Sequence, residues 1–440
     1  MQRNWSRVLA LTMGIPLLLA ILVACGPGTS VSGGNTSPGS TTIKIATELP
    51  VSGKDASFGK GAEDGAHLAV DQANANHTIP GYTLVFDPKD DVGPTGLPDP
   101  SVGAQNVISL IGDALVAGIV GPLTSSAAKA EMPIANQAPM ALISPANTNP
   151  CLTKNTAGSG CSGSNDQLPT LRPTGKVTYY RIATTDDHQG PAGADYIYKA
   201  LHLTKAYVID DTGTYGVGIA NAFIKEFMAD GGTVLGHSSE PETTISYASL
   251  LTLIASKHPD VIYYGGLDVT GGTLIHQQMQ QVQGLKKLPF VGGDGIVSPS
   301  FASTVGLNGG PAYGTVATVD TTTNSSAAAF RSQFTAVYGN SLNVFSAPDY
   351  DCANILIQAI KAALANGAHT PQNPGDAAGA KSFRQAVINA LKSISYDGIT
   401  GHQAFDSNGD TTNKIISIYK VAANTSGKPD WVFSTQVTIP

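Results

Sequence analysis

The sequence predicts an α/β protein of two lobes, each built on a mostly parallel sheet, with a cleft between them. Three observations carry this. Short apolar strands alternate with amphipathic helices from Thr42 onward, the alternation starts afresh near Ala206, and 440 residues exceed what one hydrophobic core organises. Hydrophobic residues make up 42% of the chain, enough to fill two cores. Charged residues make up only 13%, with 25 basic against 32 acidic, a net charge of −7. That balance offers no basic face for nucleic acid.

The elements follow in order. Ile43–Thr47 reads as a strand, and 59–76 as a helix with Ala62, Ala66, Ala69, Val70 and Ala73 at helical spacing. Tyr82–Phe86, Ala117–Val120 and Met140–Ile143 read as further strands, with helices over 102–111 and 125–137 between them. In the second half, strands are expected at Ala206–Asp210, Thr233–Gly236, Val261–Tyr264 and Phe290–Val291. Helices fill 216–230, 247–257 and 272–283. Three more helices span 326–338, 350–366 and 381–393. Asn408-Gly409, ahead of the apolar run from Lys414 to Tyr419, signals a hairpin in the tail.

The N-terminal segment stands apart from this pattern. Arg3 and Arg7 precede an apolar run from Val8 to Ala24, so residues 1–24 read as a secretory signal, slightly short for a stable membrane span. Leu22-Val23-Ala24-Cys25-Gly26 resembles the lipobox of bacterial lipoproteins, which implies that Cys25 carries the lipid and anchors the chain outside the cytoplasm. Residues 25–41, rich in Gly, Ser, Thr and Pro, read as a tether with a reach of roughly 20 Å. Cys151 and Cys161 lie in a polar stretch without helical periodicity and fit a disulfide in an oxidising compartment. Cys352 sits in a helical apolar pattern and reads as a core thiol.

Catalytic and cofactor patterns fail. There is no G-x-S-x-G, no H-E-x-x-H and no P-loop lysine motif, and the nine histidines form no metal spacing. Gly216-Val217-Gly218 lacks the third glycine of a dinucleotide fingerprint, and Asp406–Asp410 lacks the Gly and Glu of a calcium loop. No cofactor and no metal are expected. The informative segments are hydroxyl-rich turns at strand ends. Val120-Gly121-Pro122-Leu123-Thr124-Ser125-Ser126 runs into a helix N-terminus, where free N–H groups attract an anion, although a capping serine is the plainer reading. Ile143–Pro150 makes a second such turn on the same sheet edge.

GPLTSSAAKAEMPIANQAPMALISPANTNP resembles the binding-lobe core of the leucine/isoleucine/valine-binding proteins, the extracellular receptors of branched-chain amino-acid ABC importers. PVSGKDASFGKGAEDGAHLAV, DDTGTYGVGIANAF, DVIYYGG, FVGGDG and GITGHQAFDSNGD extend the similarity along the chain in the same order. The resemblance implies a type 1 periplasmic-binding fold with lobe 1 at 42–183 and 318–394, lobe 2 at 184–317 and 395–440, and a three-strand hinge. It implies that Ser125 and Thr148 hold a ligand carboxylate, and that the Ala146 carbonyl and the Thr148 hydroxyl accept from its ammonium. Asn147 lies in the same turn, Tyr215 closes over the ligand, and Asp294 pairs with the ammonium. Phe58 and Leu267 line the pocket, Leu267 standing where relatives often carry an aromatic residue and Asp294 where they often carry Glu. The implied partners are a small neutral amino acid and an ABC permease, for a monomeric, non-enzymatic protein. Three rivals stay open: a receptor for amides, urea or aromatic acids, a surface hydrolase using Ser125 or Ser126, and a sensor or adhesion module.

Overall fold

The computed structural model describes residues 41–155 and 160–439. The expected signal, the expected lipidation site Cys25 and nearly all of the expected tether lie outside the described residues. The first half runs β1 (Thr42–Leu49), α1 (Ala56–Ala75), β2 (Thr83–Asp90), α2 (Pro100–Gly112), β3 (Val116–Val120), α3 (Ser125–Gln137), β4 (Leu142–Ser144), α4 (Leu168–Leu171) and β5 (Tyr179–Arg181). These strands form one all-parallel sheet in the order β2-β1-β3-β4-β5. The second half runs α5 (Asp186–Asp195), β6 (Lys205–Asp210), α6 (Thr214–Ala229), β7 (Thr233–Ser239), α7 (Ala248–Ser256), β8 (Val261–Gly265), α8 (Thr273–Met279), β9 (Phe290–Gly292), α9 (Pro299–Val305) and β10 (Ala312–Val316). Then come α10 (Ala328–Tyr338), α11 (Ser346–Ala365), α12 (Ala377–Leu391), β11 (Tyr396–Gly398), β12 (Gly401–Gln403), β13 (Ile415–Ala423) and β14 (Pro429–Thr438). The second sheet has the order β14-β13-β10-β9-β8-β6-β7, antiparallel only at β13 and β14.

Period-two alternation explains why both sheets are covered on both faces. Ile43 and Ile45 of β1 face the helices α1, α11 and α12, while Ala46 faces the opposite cluster with Val107 and Met132. In the second sheet Tyr207, Ile209, Ile262 and Tyr264 pack on one side, and Val208, Val261 and Tyr263 on the other. Buried Cys352 belongs to the first core. Cys151 and Cys161 are joined as a disulfide.

The chain passes between the sheets three times. Thr184, just after β5, donates its N–H to the Ala317 carbonyl at 3.0 Å, and the Ser417 hydroxyl donates to the Thr318 carbonyl at 2.7 Å, so the passages lie side by side. The third comes later than the expected position 395. Thr400 and Ile399 donate backbone N–H groups to Asp351 of α11, and Phe405 packs on Tyr180. The 396–411 segment thus stays with the first sheet until β13 begins. The Asn408-Gly409 turn closes a single bridge, Phe405 to Thr411, rather than a hairpin of two strands. The reason is a tertiary contact: the Gly409 carbonyl accepts from Arg181 N–H at 3.1 Å, which pins the loop to β5.

That contact belongs to a buried hub. Arg181 is 0% exposed, and its Nε donates to Asp410 Oδ1 at 2.7 Å. The guanidinium also donates to the carbonyls of Asn147 and Asn149, at 3.2 and 2.8 Å, and to the Thr153 hydroxyl. Removing one partner of such a pair strands a charge in the core. Asp410→Ala should therefore cost about 3–5 kcal/mol in equilibrium urea unfolding, and the double variant Arg181→Met/Asp410→Leu should recover most of it. A loss under about 1 kcal/mol would mean that the pair counts for no more than a surface contact.

Candidate functional site

A cavity of about 390 Å³ lies where the carboxyl ends of strands from both sheets face each other. Open α/β sheets leave a crevice at that edge. From the first sheet come the segments after β1 (Asp55, Phe58), β3 (Leu123 to Ser126) and β4 (Ala146); from the second, those after β6 (Asp211 to Gly216), β8 (Leu267, Thr270) and β9 (Asp294, Gly295). A larger cavity, about 770 Å³, opens beside the disulfide-bearing insert, but it gathers none of the expected ligand residues.

Each wall has a local cause. Thr124 rather than a serine caps α3, its hydroxyl accepting from Ala127 N–H at 3.3 Å, which places Ser125 at the first helical position. The Ser125 side chain is therefore not consumed by capping: it is buried, and its hydroxyl has no partner among the described residues. A free hydroxyl at a helix N-terminus is a ready hydrogen-bond donor to a carboxylate. The turn after β4 is organised by Ser144, whose hydroxyl donates to the Pro122 carbonyl at 2.7 Å and accepts from the N–H groups of Ala146 and Asn147 at 3.3 and 2.9 Å.

On the opposite wall, Asp211 accepts from Gly213 N–H at 3.0 Å and so turns the chain into α6. Gly216 must follow, because a Cβ there would lie 2.1 Å from the Asp211 carboxylate. Tyr215 then lies against Gly293, where a Cβ would meet its hydroxyl at 2.1 Å, and that hydroxyl accepts from Gly295 N–H at 3.2 Å. Asp294 is 3% exposed and accepts from Gln189 Nε2 at 3.2 Å. Burial pushes its pKa up to about 6, against the pull of hydrogen bonds from Tyr215 and Gln189. Behind it, buried Asp186 is pushed well up by burial and by the Asp294 charge.

Of the residues expected from sequence, Phe58, Ser125, Ala146, Tyr215, Leu267 and Asp294 line this one cavity. Asn147 and Thr148 do not. The Asn147 amide donates to the Leu123 carbonyl at 2.7 Å and accepts from the Tyr179 hydroxyl at 2.8 Å, so it braces the turn from behind. Thr148 is buried beside Asp186, and its carbonyl accepts from Asp186 N–H at 2.8 Å. Sequence reasoning passed over Asp55, Asp211, Glu242 and Phe345. Asp55 and Asp211 sit inside motifs that were recognised, whereas Phe345 carries no local signal and arrives through its ring contact with Phe58, 5.1 Å between centroids.

The two walls touch at both ends of the cleft. Thr214 N–H donates to the Ser126 hydroxyl at 3.2 Å, Asn149 Nδ2 donates to the Thr214 carbonyl at 2.6 Å, and the Ser57 and Ser300 hydroxyls are 3.1 Å apart. Two lobes thus meet around a cavity of small-molecule size. The chain belongs to the periplasmic binding protein family, whose profile matches residues 42–428, and such proteins work outside the cytoplasm. It is similar to the Leu/Ile/Val-binding protein BraC3 of Rhizobium johnstonii, 26% identical over 386 residues, 86% of this chain and 91% of the relative. The leucine-binding protein LivK of Thermotoga maritima matches with a TM-score of 0.71 at 23% identity, covering 90% of this chain and 99% of that one. A solute-binding protein of an ABC transporter from Rhodopseudomonas palustris, solved with 3,4-dihydroxybenzoic acid, matches at 0.68 and 18% identity, covering 91% and 98%. Both structures share the type 1 periplasmic-binding fold.

The buried acid on the second wall has a cost that pH should reveal. The folded-state pKa of Asp294 lies above that of an exposed aspartate, so folding opposes its ionisation. Asp294→Asn should stabilise the ligand-free protein by about 1–3 kcal/mol at pH 8. The gain should shrink as pH falls through about 6 and vanish near 4, read from urea midpoints across pH. A pH-independent difference would remove Asp294 ionisation as the cause.

Proposed function

We propose that this protein captures a small amino acid, branched-chain or otherwise neutral, in the interlobe cleft and presents it in closed form to an ABC permease. It does so as a monomer tethered by lipid on Cys25, and it turns over no substrate. The observation that carries this reading is the pairing of a free, buried hydroxyl at the α3 N-terminus with a buried carboxylate across the cleft. A zwitterion satisfies both at once: its carboxylate takes Ser125 and nearby N–H groups, and its ammonium takes Asp294, with Tyr215 closing over it. Asn147 and Thr148 support the turn from behind, the Thr148 carbonyl accepting from Asp186 N–H. Phe58 and Leu267 give the side chain apolar contact. The names of BraC3 and LivK point to the same ligand class.

The three side-by-side passages form the hinge, two of them near 183 and 318 and the third after Thr411. Ligand contacts to both walls favour the closed state by the difference in affinity between closed and open forms.

A thermal-shift screen of amino acids, amides, urea and aromatic acids tests this. Leucine, isoleucine or valine at 100 times its Kd should stabilise the protein by about 2.7 kcal/mol. Asp294→Ala should weaken binding on the order of 100-fold. Because the ammonium needs Asp294 ionised, affinity should be about tenfold lower at pH 5 than at pH 7. Stabilisation by aromatic acids alone would overturn the amino-acid assignment.

A further inference from the structure

Four acids line the cleft cavity, Asp55, Asp211, Glu242 and Asp294, and among the lining residues there is no lysine, arginine or histidine. One zwitterionic ligand needs a single counter-charge for its ammonium. Asp211 is already occupied, accepting from Gly213 N–H, Leu267 N–H and the Thr270 hydroxyl. Asp55 is not. It is 1% exposed, and neither carboxylate oxygen has a partner among the described residues.

Its surroundings offer no compensation. Burial pushes the Asp55 pKa well up and the Asp268 charge adds to this, while Asp55 in turn raises Asp91. The charged groups around it are therefore acids, one on the opposite wall and one on its own. Beside Asp55 the cavity wall is apolar, made by Phe58, Leu97, Pro98 and Phe345. Apolar walls with an unpaired carboxyl among them suit a methylene stem that ends in a cation. A purely aliphatic terminus would leave the acid without a partner.

Resting on the amino-acid reading above, we infer that Asp55 is the counter-charge for a cationic side-chain terminus, so that the cleft accepts basic amino acids as well as neutral ones. Ser125 and Asp294 hold the α-carboxylate and α-ammonium as before. Glu242, half-buried on the second wall and pushed up to about 7 by burial, is the other acid that could meet a second charge.

Calorimetric titration of the purified protein with lysine, ornithine, norleucine and leucine tests the assignment. Norleucine has the lysine stem without the terminal ammonium. Lysine or ornithine should bind at least about tenfold tighter than norleucine. Asp55→Asn should weaken lysine on the order of 30-fold and bring the lysine-to-norleucine ratio toward one, whereas Glu242→Gln should keep the preference. Binding of leucine or norleucine with no binding of lysine or ornithine would overturn the inference and leave the amino-acid reading standing. Loss of the preference in Glu242→Gln but not in Asp55→Asn would overturn the assignment to Asp55. Binding of no amino acid at all would overturn both readings. Should Asp55→Asn fail to fold, the wild-type ratio of lysine to norleucine still decides.

Discussion

The buried Arg181–Asp410 pair is the constraint on which the rest of the site depends. A guanidinium at zero exposure is tolerable only when its donors are used, and here they reach a carboxylate, two backbone carbonyls and a hydroxyl. Those four acceptors belong to two regions far apart in sequence: the stretch from 147 to 153, where the turn after β4 runs into the disulfide-bearing insert, and the tail loop at 406–410. The same residue ends β5, where the chain first leaves the first sheet. One side chain therefore couples the turn that supplies Ala146 to the strands that cross between lobes. The planar fork fixes the directions of all four bonds, so a lysine could not substitute for it.

The two walls of the cleft differ chemically, and on the proposed reading this difference orients a ligand. Asp55 apart, the first wall presents a helix N-terminus with a free serine hydroxyl, whereas the second presents Asp211, Glu242 and Asp294. A zwitterion laid with its carboxylate toward α3 meets favourable dipoles on one side and negative charge on the other. Turned around, it meets repulsion at both ends. Discrimination against the reversed pose comes from that repulsion as much as from any attraction.

Much of this architecture was legible in the sequence. β6 and β8 were readable because Ala206–Ile209 and Val261–Tyr264 are short, continuous apolar runs between helical patterns, as strands covered on both faces require. Ser125, Tyr215 and Asp294 were readable because strand-end turns carry them. What escaped depends on distant partners. β5 is three residues, Tyr-Tyr-Arg, and an arginine there suggests exposure until Asp410 is brought 229 residues along the chain to meet it. The late third passage escaped because Asp351 of α11 gathers Thr400 and Ile399, a contact no local pattern announces. Thr124 takes the cap that a serine reading gave to Ser125, a shift of one residue that leaves the serine hydroxyl without a partner among the described residues.

Closure and affinity are linked by the same buried acids. When the walls meet with no ligand, Asp294 loses water and keeps only Gln189 and Tyr215, which share its wall, so burial disfavours its charged form. The hydrogen bonds between the walls at Thr214 and Ser300 each contribute only about 1 kcal/mol net. On the proposed reading, a bound ammonium would remove the penalty at Asp294 in the closed form and would offer much less in an open form whose acid is solvated by water. The difference between those two situations is the free energy that ties closure to occupancy. A second wall lined with well-satisfied neutral groups would close as readily when empty, and a permease reading the closed shape could not tell the two states apart.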